Sequence, residues 1–304
     1  MRSILAVALL AAGVVVVVAG AELFFDGLLA TAARFRLSPF VLTVVISGLE
    51  LENLAAGIAA NAKGLSGAAA GTFLGGTTFL ALAVAGGGAM LVPLKPGLPA
   101  RVMVWSAVAP LPLVAVGVDG RLSRVDGAVL VVWAAIALIA MARAAPRDLG
   151  DAAPRPRRFG IARMAGGLVV LSAGGTLLGN GLRHVVDRLG VSDTVLGNTA
   201  VVAAVEAEEI ARPYAAARRG RGDLGLANVT GTIVHFAALN AGIIALVKPL
   251  PLHGPSLWLH LPVAAASAIL FSGVAWLRGG LGRAEGAFLL GIWLLYVAAA
   301  IIAG

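Results

Sequence analysis

The sequence predicts an all-α integral membrane protein with ten transmembrane helices, arranged as two inverted five-helix repeats. Of its 304 residues, 60% are hydrophobic and 12% are charged, and the mean hydropathy is +0.96. Apolar stretches of about 20 residues, the length that crosses a hydrocarbon core of roughly 30 Å, follow one another with short polar interruptions. The two halves of the chain also align with each other. This composition excludes a water-soluble globular domain, so the lipid bilayer is the expected surrounding.

The ten candidate helices lie between clusters of charged residues or of proline and glycine. They cover about 3–33, 39–62, 67–94, 101–118, 125–142, 161–186, 194–217, 223–247, 256–277 and 284–303. A long polar segment separates the fifth span from the sixth. It predicts a first repeat at 1–142, a basic linker at 143–160 and a second repeat at 161–304.

The basic residues predict the orientation of the chain. Loops after the odd-numbered spans carry fifteen Lys and Arg, whereas the other side carries seven. By the positive-inside rule, the linker is expected to be cytoplasmic and both termini to be outside, in a plasma membrane. Because each half has an odd number of spans, the two halves must be inverted. The basic residues form no stripe interleaved with aromatic residues, so no nucleic-acid partner is expected.

The internal repeat is visible in the residues themselves. Residues 20–38 align without gaps onto 174–192, and 49–76 align onto 205–232. The second register duplicates a Glu-x-Glu pattern, which chance similarity between apolar helices does not readily produce. Inverted repeats are common in secondary transporters, whose ions bind near the midplane where broken helices meet.

The acidic residues predict a cation site. Five of the seven glutamates fall within spans two and seven: Glu50, Glu52, Glu206, Glu208 and Glu209. Ionisable side chains are costly in a bilayer and usually functional there. Clustered carboxylates suit a hard cation such as calcium, and each can hold a cation or a proton but not both. Thr77, Asn228 and Thr232 are expected to add neutral oxygens. The inorganic cations are cargo, and no resident cofactor is expected.

Structural roles compete with this interpretation. Arg212 lies one helical turn from Glu208 and Glu209 and can neutralise one of them. His235 and Asn240 have no counterpart in the first repeat, and for both a buried, hydrogen-bonded role is favoured over cation binding.

The motifs around these acids resemble the alpha repeats of sodium/calcium exchangers, within the calcium/cation antiporter superfamily. In the first half, Gly20-Ala21, Arg36-Leu37-Ser38, the acidic motif and Lys63-Gly64 follow the family's order, and the first alpha motif covers about 38–80. In the second half, the series continues over about 192–236. Its members are Glu209, Arg219-Gly220, Asp223-Leu224 and Asn228-Val229-Thr230-Gly231-Thr232. The resemblance implies an antiporter that exchanges a cation such as calcium against sodium or protons.

The chain departs from the family pattern at the acids. Family members carry Gly-Thr-Ser-x-Pro-Glu in both repeats, whereas the hydroxyls and the proline are absent here. Counting back from Asn228 matches the family glutamate to Glu209 and leaves Asn53 in the first repeat, while local motifs match it to Glu52 and Glu208. Both registers remain open at this point. The missing hydroxyls weaken the case for sodium and favour protons as the counter-ion.

An enzyme is the alternative hypothesis. Glu208-Glu209-x-x-Arg212 with His235 and Asn240 is similar to the motifs of intramembrane glutamic proteases, in which glutamate and histidine activate water. Both spacings differ by one residue, and this hypothesis leaves Glu50, Glu52 and the duplication unexplained.

Overall fold

The computed structural model describes residues 2–47, 50–144, 159–189 and 207–303, whose regular secondary structure is helical apart from one pair of two-residue strands. The helices are α1 Arg2–Phe35, α2 Pro39–Leu42, α3 Leu51–Ala62, α4 Ser66–Phe79, α5 Ala85–Leu91, α6 Ala100–Val108, α7 Leu111–Gly117, α8 Arg124–Arg143, α9 Gly160–Leu189, α10 Ala207–Arg218, α11 Gly222–Val234, α12 Ala241–Val247, α13 Leu261–Leu277 and α14 Arg283–Ala303. π-Helical turns cover Thr43–Ser47, Leu80–Val84, His235–Asn240 and Ser256–His260. Strand β1, Arg121–Leu122, pairs antiparallel with β2, Leu250–Pro251.

Eight helical stretches in the described part of the chain are long and apolar enough to cross a membrane. They are Ala8–Phe35, Ser66–Leu91, Ala100–Gly117, Arg124–Arg143, Gly160–Leu177, Gly222–Val247, Ser256–Leu277 and Arg283–Ala303. The prediction of a helical, multi-pass integral membrane protein is confirmed. Most of the predicted seventh span, 194–217, and most of the linker, 143–160, lie outside the described residues.

The predicted second span, 39–62, is not one continuous helix. It begins as α2, continues through the π-helical turn Thr43–Ser47, and resumes as α3 at Leu51. Glu50 lies at the break, with the non-helical backbone angles φ −85° and ψ 75°. The hydropathy pattern could not show this interruption, because the residues on both sides are as apolar as those of an unbroken span.

Two spans form the centre of the molecule. In Ser66–Leu91 and Gly222–Val247, 78% and 83% of the most apolar window is buried, compared with 11–39% in the other six candidate spans. Every residue of α11 is buried. These helices are therefore packed within the protein, whereas α14 has the most lipid-facing surface of the candidate spans.

Glycine allows four of the spans to approach closely. Gly86 of α5 meets Gly286 of α14, where an added Cβ at Gly286 would lie 2.7 Å from the Gly86 carbonyl oxygen. Gly127 of α8 meets Gly242 of α12 in the same way, again with 2.7 Å to the opposite carbonyl oxygen. Small residues at such crossings bring two backbones into van der Waals contact, which drives helix association in lipid.

The helices α3 and α10 end at equivalent turns. Gly64 and Gly220 adopt the left-handed conformation, with φ of 78° and 72°. This geometry closes each helix with a hydrogen bond that reaches back five residues. The bonds are Leu65 N–H to the Ala60 carbonyl at 2.9 Å and Arg221 N–H to the Ala216 carbonyl at 3.1 Å.

We expect Gly286→Ala to lower the thermal stability of the protein, because its methyl group would overlap the Gly86 carbonyl oxygen. Overpacking of this kind costs about 1–3 kcal/mol. Gly291→Ala, on the same helix and with no atom of the described residues within 4 Å of its added Cβ, is the matched control. Thermal unfolding of the purified protein in detergent measures both, and equal midpoints would contradict the close contact.

Candidate functional site: a buried acid pair bridged by arginine

The centre of the site is a pair of salt bridges that share one residue, Arg212. Nη1 of Arg212 contacts Oε1 of Glu50 and, at 2.5 Å, Oε1 of Glu209. The exposed fractions of the residues are 3% for Glu50, 1% for Glu209 and 5% for Arg212, so water has almost no access to these charges. A single guanidinium therefore contacts acids from both halves of the sequence.

Local structure explains how these side chains meet. Glu209 and Arg212 lie three residues apart on α10, so both point from the same helical face. Glu50 precedes the first turn of α3, a position where unpaired backbone N–H groups favour a carboxylate. The break between the π-helical turn and α3 thus places an acid from the first half opposite the acidic turn of the second half.

An aromatic ring also lies beside Arg212. Its Cζ lies 5.8 Å from the centroid of the Phe24 ring, and Phe24 of α1 is 1% exposed. A cation over an aromatic face is attracted by the ring quadrupole, most strongly when both groups are desolvated. Phe24 therefore adds a third contact that holds the guanidinium in place.

His235 borders the acid pair from the central span. The imidazole Nδ1 lies 2.8 Å from the Gly231 carbonyl oxygen. Because a carbonyl oxygen only accepts, Nδ1 carries the proton of this bond. The ring is close enough to Glu50 for the two groups to interact electrostatically. The expectation of a buried, hydrogen-bonded histidine fits these contacts.

The predicted neutral ligands lie on the two central spans. The Thr77 hydroxyl donates to the Phe73 carbonyl at 2.7 Å, and the Thr232 hydroxyl donates to the Asn228 carbonyl at 2.8 Å. Each hydroxyl oxygen keeps lone pairs that can accept a proton or contact a cation.

Asn228 differs from these threonines. It is 3% exposed, and neither its Oδ1 nor its Nδ2 has a hydrogen-bond partner among the described residues. Buried polar side chains nearly always have partners, so an orphaned amide inside a membrane span calls for a ligand or water. Asn228 lies on α11, which packs against both α10 and the π-helical turn Thr43–Ser47.

The remaining predicted acids are only partly described. Glu52 lies in α3 and Glu208 in α10, but their side chains are outside the described set, and Glu206 is outside it altogether. Among the described residues, no three His, Asp or Glu side chains are arranged to hold a metal ion. The choice between Glu208 and Glu209 as the counterpart of the family glutamate stays a prediction.

A second charged cluster, which the sequence did not indicate, ties α1 to α9 and α10. Asp26 contacts Arg219 at 3.0 Å and Arg163 at 3.6 Å, and Glu22 contacts Arg218 at 3.5 Å. These side chains are partly exposed, so each pair contributes little stability. They contrast with the deeply buried pairs of Arg212.

Comparison with known proteins decides the family. The family model described as sodium/calcium exchanger protein matches residues 5–142 and 159–302, nearly the whole chain. The chain belongs to the sodium/calcium exchanger family. It is a cation antiporter, and the resemblance inferred from the motifs is confirmed. This is a family of transporters, so the alternative of an intramembrane glutamic protease loses its support.

Individual relatives extend the likeness over the full length. The inner membrane protein YrbG of Escherichia coli K12 is 26% identical over 318 residues, which cover 97% of this chain and 96% of that protein. The sodium/calcium exchanger MaX1 of Methanosarcina acetivorans is 34% identical over 82 residues, 27% of this chain and 23% of its own length. A structure of the sodium-calcium exchanger NCX_Mj has the same fold, with a TM-score of 0.81 and 22% identity over 98% of this chain and 99% of that chain.

We expect Arg212→Met to destabilise this antiporter by about 3–5 kcal/mol, because it removes the positive charge that the buried Glu50 and Glu209 share. The reference variant is Arg218→Met, which removes a partly exposed pair and should cost less than about 1 kcal/mol. Thermal unfolding in detergent without divalent cations compares the two. Similar losses for both variants would show that the buried pairs contribute no special stability.

Proposed function

We propose that the protein exchanges a divalent cation such as calcium against protons or sodium, through a site formed by the acids of its two halves. The observation that carries this proposal is the burial of Glu50 and Glu209 in contact with one shared positive charge. A pocket that holds a guanidinium between two carboxylates has the charge and the oxygen atoms that a hard cation needs. Asn228 supports it, because this buried amide has an oxygen without a partner among the described residues.

The site is proposed to include acids beyond this pair. Glu52, with Glu208 or Glu209, is assigned to the transported cation. Glu50 and Glu206 either complete the cation site or carry the exchanged proton, and Thr77, Asn228 and Thr232 supply neutral oxygens. Protons are favoured as the counter-ion, because the hydroxyls that the family places beside its glutamates are absent from this sequence.

Calcium as cargo rests on the relatives. MaX1 is named a sodium/calcium exchanger, and NCX_Mj is a sodium-calcium exchanger that has been studied with Na⁺, Ca²⁺ and Sr²⁺. The carboxylate-rich site of this chain agrees with such cargo.

The proposed architecture is ten spans in two inverted repeats, with the site between them. Several paired features support it. The glycine contact between α5 and α14 joins the third span of the first half to the fifth span of the second half. The contact between α8 and α12 is its counterpart, because it joins the fifth span of the first half to the third span of the second half. Leu94 and Leu281 exchange backbone hydrogen bonds of 2.9 and 3.0 Å, and β1 pairs with β2 between the corresponding loops. The family match is also interrupted between residues 142 and 159, where the linker lies.

The mechanistic prediction is that Glu50→Gln and Glu52→Gln each slow cation exchange by roughly tenfold or more, equivalent to at least about 1.4 kcal/mol. Glutamine keeps the shape and hydrogen-bonding capacity of the side chain but removes its charge. In liposomes with calcium and pH reporters, imposed proton and sodium gradients should drive calcium uptake by the native protein, and uptake should weaken at acid pH as protons occupy the carboxylates.

Glu22→Gln provides the control for this experiment, because Glu22 is a partly exposed acid outside the proposed site. A folded Glu50→Gln or Glu52→Gln protein with native rate and pH dependence would mean that the substituted carboxylate is structural.

The predicted orientation has its own test, since the chain has no native cysteine. We expect a cysteine at Ala153 to be protected from an impermeant thiol reagent in intact cells and to react after permeabilisation. A cysteine at the exposed Asp119, in a loop predicted to be outside, should react in intact cells. The reverse pattern would invert the topology.

A further inference from the structure

The guanidinium of Arg212 stands where an ion bound between Glu50 and Glu209 would have to be. The same nitrogen, Nη1, contacts one carboxylate oxygen of each acid, and the Phe24 ring lies beside it. A cation that uses these two oxygens cannot enter while the guanidinium occupies the space between them.

The chemistry of arginine makes this a permanent charge. A guanidinium does not lose its proton in proteins, so titration of Arg212 cannot remove the positive charge from the acid pair. Two positive charges a few ångströms apart repel strongly where water is excluded. Binding of an external cation between the acids must therefore be accompanied by displacement of the Arg212 side chain.

We propose that Arg212 is a tethered cation that competes with the transported ion for Glu50 and Glu209. This inference rests on the proposed function, and it adds a residue that sets the affinity and charge selectivity of the site. The described arrangement is the state in which the internal cation is bound. A divalent ion gains the two carboxylates only after the guanidinium has withdrawn, so Arg212 weakens divalent binding and promotes release of the ion.

Competition by a tethered cation predicts that substitutions of Arg212 raise the Ca²⁺ affinity by different amounts. Arg212→Gln removes the charge and should raise the apparent Ca²⁺ affinity by roughly tenfold or more, because the competent site is no longer occupied by the side chain. Arg212→Lys keeps a positive charge but loses the planar fork that suits carboxylates. Its affinity should therefore fall between those of the native protein and Arg212→Gln.

The experiment measures Ca²⁺ binding to the purified full-length protein by titration calorimetry, and the rise in thermal midpoint with added Ca²⁺ provides a second readout. Ligand that binds only the folded state raises the midpoint, so Ca²⁺ should stabilise Arg212→Gln more than the native protein. Arg219→Gln is the matched control, because this arginine directly follows the same helix, pairs with the partly exposed Asp26 and should leave Ca²⁺ affinity unchanged.

The possible outcomes separate this inference from the proposed function. The tethered cation is supported if Ca²⁺ affinity increases in the order native protein, Arg212→Lys, Arg212→Gln. If Arg212→Gln does not fold, tighter Ca²⁺ binding by Arg212→Lys than by the native protein supports the same conclusion. Equal or weaker binding by the folded variants overturns it. If the native protein still exchanges Ca²⁺ in liposomes and requires Glu50, only the role of Arg212 fails. If neither the native protein nor any variant binds or moves Ca²⁺, the proposed function fails as well.

Discussion

Buried negative charge is the constraint on which the rest of this structure depends. A carboxylate inside a membrane protein must be paired, protonated or bound to a cation. Here Glu50 and Glu209 are paired with one arginine, and this pairing joins the first half of the chain to the second. Three elements contribute to this pairing. Glu50 lies at the break before α3, Glu209 and Arg212 lie on α10, and Phe24 of α1 packs against the guanidinium.

The surrounding helices provide a close-packed frame for these charges. The glycine contacts between α5 and α14 and between α8 and α12 each hold an outer helix closely against a central span. The central spans Ser66–Leu91 and Gly222–Val247 are consequently enclosed. Enclosure removes water from the acid pair, which strengthens both the attraction of Arg212 for the carboxylates and the cost of leaving either acid alone.

Hydropathy predicted the outer spans almost to the residue, because a span that faces lipid is apolar on every side. The predicted 125–142 and 284–303 correspond to Arg124–Arg143 and Arg283–Ala303. The second span was harder to predict, since hydropathy does not register the interruption at Glu50. Glu50 and Glu209 were expected in the site, whereas the partnership of Arg212 with Glu50 was not. Arg212 and Glu50 are 162 residues apart in the sequence, whereas residue spacing indicates only partners on the same helix, such as Glu209.

The lengths of α3 and α10 determine how membrane voltage acts on ions at the site. An acid of the buried pair lies at or near the start of each helix, and a glycine turn follows its end. Each helix has 12 residues, a rise of about 18 Å at 1.5 Å per residue. This is about half of a bilayer whose hydrocarbon core measures roughly 30 Å. If the two glycine turns lie at opposite surfaces of the bilayer, as the proposed inverted repeats require, an ion that reaches Glu50 and Glu209 from either face crosses about half of the transmembrane voltage. At 100 mV this amounts to about 1.2 kcal/mol for each elementary charge, so occupancy of the acids depends on membrane potential as well as on ion concentration.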